Sequence, residues 1–337
     1  MLIRLDNAPP SVPPIVARPT TVSVVMMVGN ERWCITDAVR SASWADEVVI
    51  LDTGSTDGTG DLAARAGAKV TREERIVDLG DGLKSIDDFA AARNRAMSLA
   101  SCEWIVLLDA DERFAGSLRD VLEQLPDCVD VAAVALDHAD APELAQNMTR
   151  VFRRSAAPRY EHRVHETVET WIKGRTHATI PREAGYVTHL GSRKDIRAKH
   201  RRDERNWRLI QRALADDPND VHALVFAVEM LCDTQPHHAA VLAEHAWQHV
   251  TPEHPSRFRL TLARVELAHR AEDVQRMLAI FDEAAKRWPP NANVLAGHGL
   301  ALRMAGRPEE SRAVLGEALS MNGLAPVMRA QAERHAA

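Results

Sequence analysis

Three short runs of β-branched and aliphatic residues dominate the first third of the sequence: VSVVMMV at 22–28, EVVILD at 47–52 and WIVLLD at 104–109. A fourth, VAAVAL, follows at 131–136. Each has the length of a strand. An unbroken apolar run, rather than an alternating one, is what a strand buried on both faces requires. Helical spacing fills the intervals. Residues 31–43 bring Trp33, Ile35, Ala38 and Val39 near one face, and 88–101 space Phe89, Ala92, Ala96 and Leu99 along one side. Residues 57–66 follow STDGT, where Ser55 or Thr56 stands at a capping position. Strand and helix in alternation predict an α/β domain with a mostly parallel sheet covered on both faces. Ligands of such sheets bind beyond the carboxyl ends of the strands.

The chain has 337 residues, 45% hydrophobic and 27% charged, enough for a domain of about 200 residues and a smaller second one. A net charge of −6 argues against a general nucleic-acid binder. No stretch of ~18 apolar residues predicts a membrane-spanning helix, and the first residues lack the apolar centre of a signal peptide. Their prolines mark 1–20 as an extended or disordered lead-in. The cysteines Cys34, Cys102, Cys128 and Cys232 are scattered, without a C-x-x-C pair. That pattern argues against disulfides and a zinc knuckle and fits a reducing cytoplasm.

The character of the sequence changes near residue 150, with the basic, alternating stretch RVFRRSAAPRYEHRVHETVETWIKG. The catalytic-type domain is expected over 21–192, a connecting charged helix over 193–215, and helical hairpins over 216–337. Pro218, Pro236, Pro252, Pro255, Pro289, Pro290 and Pro308 mark the breaks. The last hairpin is the clearest, with small residues at Ala296, Gly299 and Ala305 and a turn at Gly306. It resembles a tetratricopeptide repeat, whose period is ~34 residues, and about three degenerate repeats are expected; the alternative is an irregular helical cap. Repeat edges also make a homodimer an expectation. Acids are interleaved in the basic run RKDIRAKHRRDER, which reads as a solvated helix face rather than a membrane-binding patch.

Three motifs carry chemistry. The second strand ends on Asp52, and Gly54, Ser55, Asp57, Gly58 and Thr59 then turn into a helix. Glycines allow close backbone approach, and the helix start offers free N–H groups to a phosphate or a polar ligand. Neither G-x-x-x-x-G-K-[ST] nor G-x-G-x-x-G is present. The WIVLLD run continues into Asp111 and Glu112. Asp109 and Asp111, just past a buried strand, either converge on a hard cation such as magnesium or manganese or cap the next helix. The strand context favours the cation. Ahead of them Arg93 and Asn94 stand in DDFAAARNRA, where Arg can neutralise a diphosphate or pair with the acids. Later, RVHETV carries His165 and Glu166 in a segment that alternates like a strand. Neighbours in a strand face opposite sides, so only one of the pair can point into a cleft unless the strand ends or bulges there, as general base or, for His165, as metal ligand. His189 ends an apolar segment, where its imidazole can complete a metal shell.

Together these stretches resemble the family 2 glycosyltransferases of the GT-A fold, in order and spacing from Val22 to Glu112. The later RVHETV, THLG and helical tail are similar to a branch that includes lipopolysaccharide-core glucosyltransferases and peptide glycosyltransferases. Gly29 stands where the family often carries a lysine. The resemblance implies an inverting, metal-dependent transfer of a sugar from a nucleotide-sugar donor, with a UDP-hexose such as UDP-glucose as the family-weighted choice. Asp52 would read the nucleobase beside Val28, Asn30 and Glu31. Gly54, Ser55 and Asp57 would line the donor site with Asp109 and Ala110, and Arg93 and Asn94 would stabilise the diphosphate or shape its pocket. Manganese or magnesium would be held by Asp109, Asp111 and His189. Glu166, with His165 as second choice, would be the base. The helical tail points to a peptide or protein acceptor, with a lipopolysaccharide or cell-wall glycan as the alternative. A sugar-sensing scaffold without activity is the reading from another class; retention of Asp109 and Asp111 argues against it.

Overall fold

The structure is a computed structural model, and it describes residues 3–7, 20–140, 145–190 and 201–336. The chain divides into two compact units, which meet in sequence between Leu209 and Ile210.

The first unit contains β1 (Arg4–Asp6), β2 (Val22–Val28), β3 (Glu47–Asp52), β4 (Lys69–Arg72), β5 (Ile76–Asp78) and β6 (Lys84–Ile86). It continues with β7 (Trp104–Leu107), β8 (Glu112–Gly116), β9 (Val129–His138), β10 (Gln146–Arg153), β11 (Thr176–Thr179) and β12 (Gly185–His189). One mixed, mostly parallel sheet has the order β1-β11-β9-β10-β7-β2-β3-β4, and β12 joins β9 to β8. β7, β2, β3 and β4 run parallel, whereas β10 lies antiparallel between β7 and β9. β5 and β6 form a separate hairpin.

The apolar runs are continuous because both faces of the sheet are covered. Side chains alternate along a strand. Val22, Val24 and Met26 of β2 therefore pack with helix α1 (Ile35–Ser41), while Val25 joins Val49 and Leu51 on the other face. Helix α2 (Thr59–Arg65) contributes Ala63 to the first core, and helix α3 (Phe89–Ser98) contributes Ala92 and Ala96 to the second.

At the amino ends of β2 and β3 lies one buried carboxylate. Glu47 accepts bonds from Ser23 Oγ (2.6 Å), Lys69 Nζ (2.6 Å), and the backbone N (2.7 Å) and Oγ (2.9 Å) of Ser101. Burial alone would raise its pKa, but these donors outweigh burial and hold the carboxyl down at about 2.

Arg4–Asp6, within the expected lead-in, pairs antiparallel with β11 as an edge strand; residues 8–19 lie outside the described residues. The connecting helix expected over 193–215 is described only in its later part, as Arg202–Asp216, and residues 191–200 lie outside the described residues.

In the second unit, Val221–Leu231 packs on Pro236–His249, Arg257–Arg270 on Val274–Arg287, and Ala292–Met304 on Pro308–Ser320. Pro326–Ala336 follows. The leading helices open at Val221, Arg257 and Ala292, close to a ~34-residue repeat. In the last hairpin the Ser311 hydroxyl donates to the Gly299 carbonyl (2.7 Å). A Cβ on Gly299 would sit 2.6 Å from Leu315, so only glycine allows that approach. No helix among the described residues is long and apolar enough to cross a membrane.

Candidate active site

The carboxyl ends of β2, β3 and β7 open into a cleft of about 1500 Å³ within the first unit. Of the residues given a donor, metal or base role from the sequence, all but Asp52, Ser55 and Asn94 line it.

The turns after β2 and β3 are stitched to each other. Asn30 donates its backbone N–H to Ser55 Oγ (3.0 Å), and its Oδ1 accepts from Thr56 N (2.9 Å). Glu31 N donates to Thr59 Oγ1 (2.8 Å). The Ser55 and Thr56 hydroxyls are thus turned to Asn30 and do not cap α2. Asp57 takes the bonds from Thr59 N (3.0 Å) and Thr59 Oγ1 (2.5 Å) instead, with Gly58 in the left-handed region before the helix. Asp52 is buried beneath the turn, where its Oδ1 accepts from Gly54 N (3.1 Å) and Ser55 N (2.7 Å). A Cβ on Gly60 would come within 2.7 Å of Asp52 Oδ2, so glycine makes room for this carboxylate.

Asp109 follows β7 and meets two arginines. Arg150 Nη2 lies 3.2 Å from Asp109 Oδ2 and 2.9 Å from Glu112 Oε1. Arg93 Nη1 lies 3.8 Å from Asp109 Oδ1. Burial works against ionising Asp109, yet the two guanidinium charges hold its pKa below the usual range. Asp109 is therefore turned to arginines rather than grouped with Asp111 and His189. Glu112, whose role the sequence left open, is almost fully buried. It accepts from Arg150 and from Asp109 N (2.8 Å), while Arg113 serves the carbonyls of Ala110 and Cys34. Burial drives the Glu112 pKa upward despite Arg150.

His189 reaches this acidic turn through the sheet. In β12 it stands opposite Glu112 of β8 and beside His138 of β9. Its Nε2 is 3.4 Å from Asp111 Oδ2, and this partner raises its pKa. Its Nδ1 is buried without a hydrogen-bond partner. Among the described residues, no three His, Cys, Asp or Glu side chains converge as a metal cluster. A carboxylate and an imidazole nevertheless fit a manganese or magnesium ion that draws its other ligands from phosphate and water.

The segment expected to alternate as a strand does not. Residues 162–165 form bends closed by a single bridge between Glu161 and Thr167, with His162 and His165 in the left-handed region. The bends free both His165 and Glu166 from strict alternation, and both line the cleft. Glu166 Oε1 is held by Arg93 through Nε (2.8 Å) and Nη2 (2.7 Å). Asn94 stays behind the wall. Its amide exchanges two 2.8 Å bonds with the Tyr160 backbone and so anchors the chain that leads to Glu166.

Two sets of residues went unread in the sequence, one buried behind the cleft and one lining it. Arg150 lies in β10, where an arginine among strand residues carries no spacing signal. Arg202 and Arg205 lie at the start of the helix Arg202–Asp216 and line the cleft. Arg205 stacks over Phe89 (4.6 Å to the ring centroid). Burial and then the neighbouring Arg202 lower its pKa to about 10, so it stays charged at neutral pH.

Residues 23–186 match the family model described as Glycosyl transferase family 2. A TPR repeat-containing protein of Synechococcus elongatus is 28% identical over 215 residues, 60% of this chain and 50% of that protein. The succinoglycan biosynthesis protein ExoU of Rhizobium meliloti is 33% identical over 153 residues, 42% of this chain and 41% of ExoU. The chain thus spans about half the length of these curated relatives. Among solved structures, residues 1–349 of S. aureus TarS in complex with UDP align at 17% identity with a TM-score of 0.45, over 79% of this chain and 91% of that one.

Proposed function

We propose that this chain, whose residues 23–186 match the glycosyl transferase family 2 model, moves a hexose from a nucleotide-sugar donor, a UDP-hexose first, to an acceptor with inversion at the anomeric carbon. The observation that carries the proposal is the position of Arg93. One guanidinium grips Glu166 and faces Asp109, which sets a candidate proton acceptor beside the acidic strand end.

In this reading Asn30 and the turn at Gly54–Asp57 take the nucleoside, and Asp52 holds that turn in shape. Asp111 and His189 would hold a manganese or magnesium ion, which when bound offsets charge developing on the diphosphate. Arg202 and Arg205 face the same cleft and add fixed positive charge for the leaving group. Arg150 and Arg93 keep Asp109 ionised and oriented. Glu166 takes the proton from the acceptor as the new bond forms; Arg93 fixes Oε1, so the carboxylate cannot swing away. A single displacement needs no enzyme nucleophile.

For the acceptor, helical repeats favour a peptide or protein, since such arrays present extended surfaces to peptides. The relative in succinoglycan biosynthesis favours a glycan instead. The test of the donor reading is a panel of nucleotide sugars incubated with the full chain and manganese, with released nucleotide measured. Release from at least one donor is expected. No release from any of them overturns the transferase reading in favour of a sugar-sensing scaffold.

A further inference from the structure

Among the described residues, Trp33 is the only exposed tryptophan, tyrosine or phenylalanine, with 44% of its surface accessible. A single exposed apolar residue is ordinarily unremarkable. This one lines the cleft, and it is held in place. Its indole Nε1 donates to Glu31 Oε2 (3.0 Å), and the Cys34 thiol approaches the same oxygen at 3.6 Å. Glu31 is itself a cleft residue whose pKa is raised to about 7, first by burial and then by the charge of Asp111. The indole therefore stands against the Glu31 carboxyl, in a cleft that Asp111 also lines. The buried turn that holds Gly54 belongs to the end we assign to the nucleoside.

The chemistry of this pair is specific. A pinned indole offers a flat apolar face at low entropic cost, because its two side-chain torsions are already settled. The face of the ring is electron-rich and attracts weakly positive C–H groups. When ionised, the carboxyl beside it accepts hydrogen bonds only. A pyranose ring presents the matching features, an apolar face of C–H groups and a rim of hydroxyl donors. A peptide chain offers such a C–H face only at proline, and without the rim of hydroxyls.

We propose that Trp33 is the stacking wall for a hexopyranose ring in this cleft and that Glu31 accepts hydrogen bonds from the hydroxyls of that ring. The assignment rests on the reading of the cleft as a nucleotide-sugar site, and it names the sugar subsite within it. The ring is either the donor hexose or an acceptor glycoside.

Saturation-transfer difference NMR on the full chain with magnesium tests it in three arms: UDP, UDP-glucose, and methyl glucoside with UDP present. Wild type is expected to transfer saturation to ring C–H protons of glucose in the second arm, the third, or both; the arm identifies the source of the ring. In Trp33→Ala these ring signals should fall by about threefold or more, the loss expected from removing one aromatic contact. Trp33→Phe should keep part of them, and uridine signals should persist in both variants. Trp33 is exposed, so these variants do not threaten the core. Ring signals equal in wild type and Trp33→Ala overturn the proposal. So does the absence of ring signals in wild type. Loss of the uridine signals in Trp33→Ala overturns it as well, because the indole would then be holding the base. Absence of UDP signals in wild type defeats the donor-site reading separately, and the methyl glucoside arm, repeated without UDP, still decides on Trp33.

Discussion

The two ends of the parallel strands treat a buried carboxylate in opposite ways. At the amino ends, Glu47 collects donors from Ser23, Lys69 and Ser101, and its pKa falls to about 2. At the carboxyl ends, Glu31 rises to about 7 and Glu112 also rises, because burial and neighbouring acids outweigh the donors they have. The first arrangement is complete without a ligand and serves the fold. The second crowds acids at the strand ends, where Arg93 and Arg150 meet Asp109 while Asp111 faces His189. An acid saturated with donors is structural; a group of acids short of donors marks where a positive or hydrogen-bonding ligand is expected.

That contrast can be broken by substitution. Glu166→Gln keeps the hydrogen bond to Arg93 but removes the proton acceptor. Sugar transfer should drop by about 10³-fold, equivalent to about 4 kcal/mol of barrier. Urea unfolding should change little. Single-turnover assays check the first point; full activity in Glu166→Gln would move the base to His165.

Arg150→Met strips the buried acids of a counter-charge and should cost about 3–5 kcal/mol of stability in urea unfolding. Adding Glu112→Gln to Arg150→Met should recover part of that loss. If the double variant is no better than the single, the Arg150–Glu112 pair is not the coupled unit described.

Glu47→Gln probes the other end of the strands and should cost about 2 kcal/mol at pH 7, allowing for solvent screening at the edge of the sheet. The folded pKa of Glu47 lies below its unfolded value. Its contribution is therefore present above about pH 4.5 and lost as pH falls toward about 2. The gap between wild type and Glu47→Gln in unfolding midpoints should shrink across that window. Donor hydrolysis by Glu47→Gln should match wild type within about twofold, because Glu47 lies at the opposite end of the strands from the cleft. Parallel losses of stability and activity would erase the distinction between the two ends.

Much of this was legible in the sequence, for identifiable reasons. The apolar runs of β2, β3 and β7 are long, unbroken and bounded by turn residues, so strand type and parallel topology could be read directly. The hairpin at Ala292–Ser320 showed itself through its small residues and the turn at Gly306. What stayed hidden depends on distant pairing. Arg150 reaches Asp109 because β10 lies antiparallel to β7, with Val151 opposite Val106, and no local spacing encodes that register. RVHETV alternates as a strand would, but left-handed backbone at His162 and His165 turns it into bends. The Asp52 carboxylate could have been placed from its context. An Asp followed by Thr, Gly and Ser commonly bonds its own turn, and here it does so at Gly54 and Ser55.

The central claim is that the acids beyond β7 form the working end of a nucleotide-sugar site. Its most direct test is nucleotide release from a sugar donor by wild type and by Asp111→Asn, each with manganese and with chelator. The account predicts release by wild type with manganese, loss of ~10³-fold or more both in Asp111→Asn and in chelator, and nearly unchanged unfolding midpoints. Equal release by the two proteins, or full release in chelator, would contradict it.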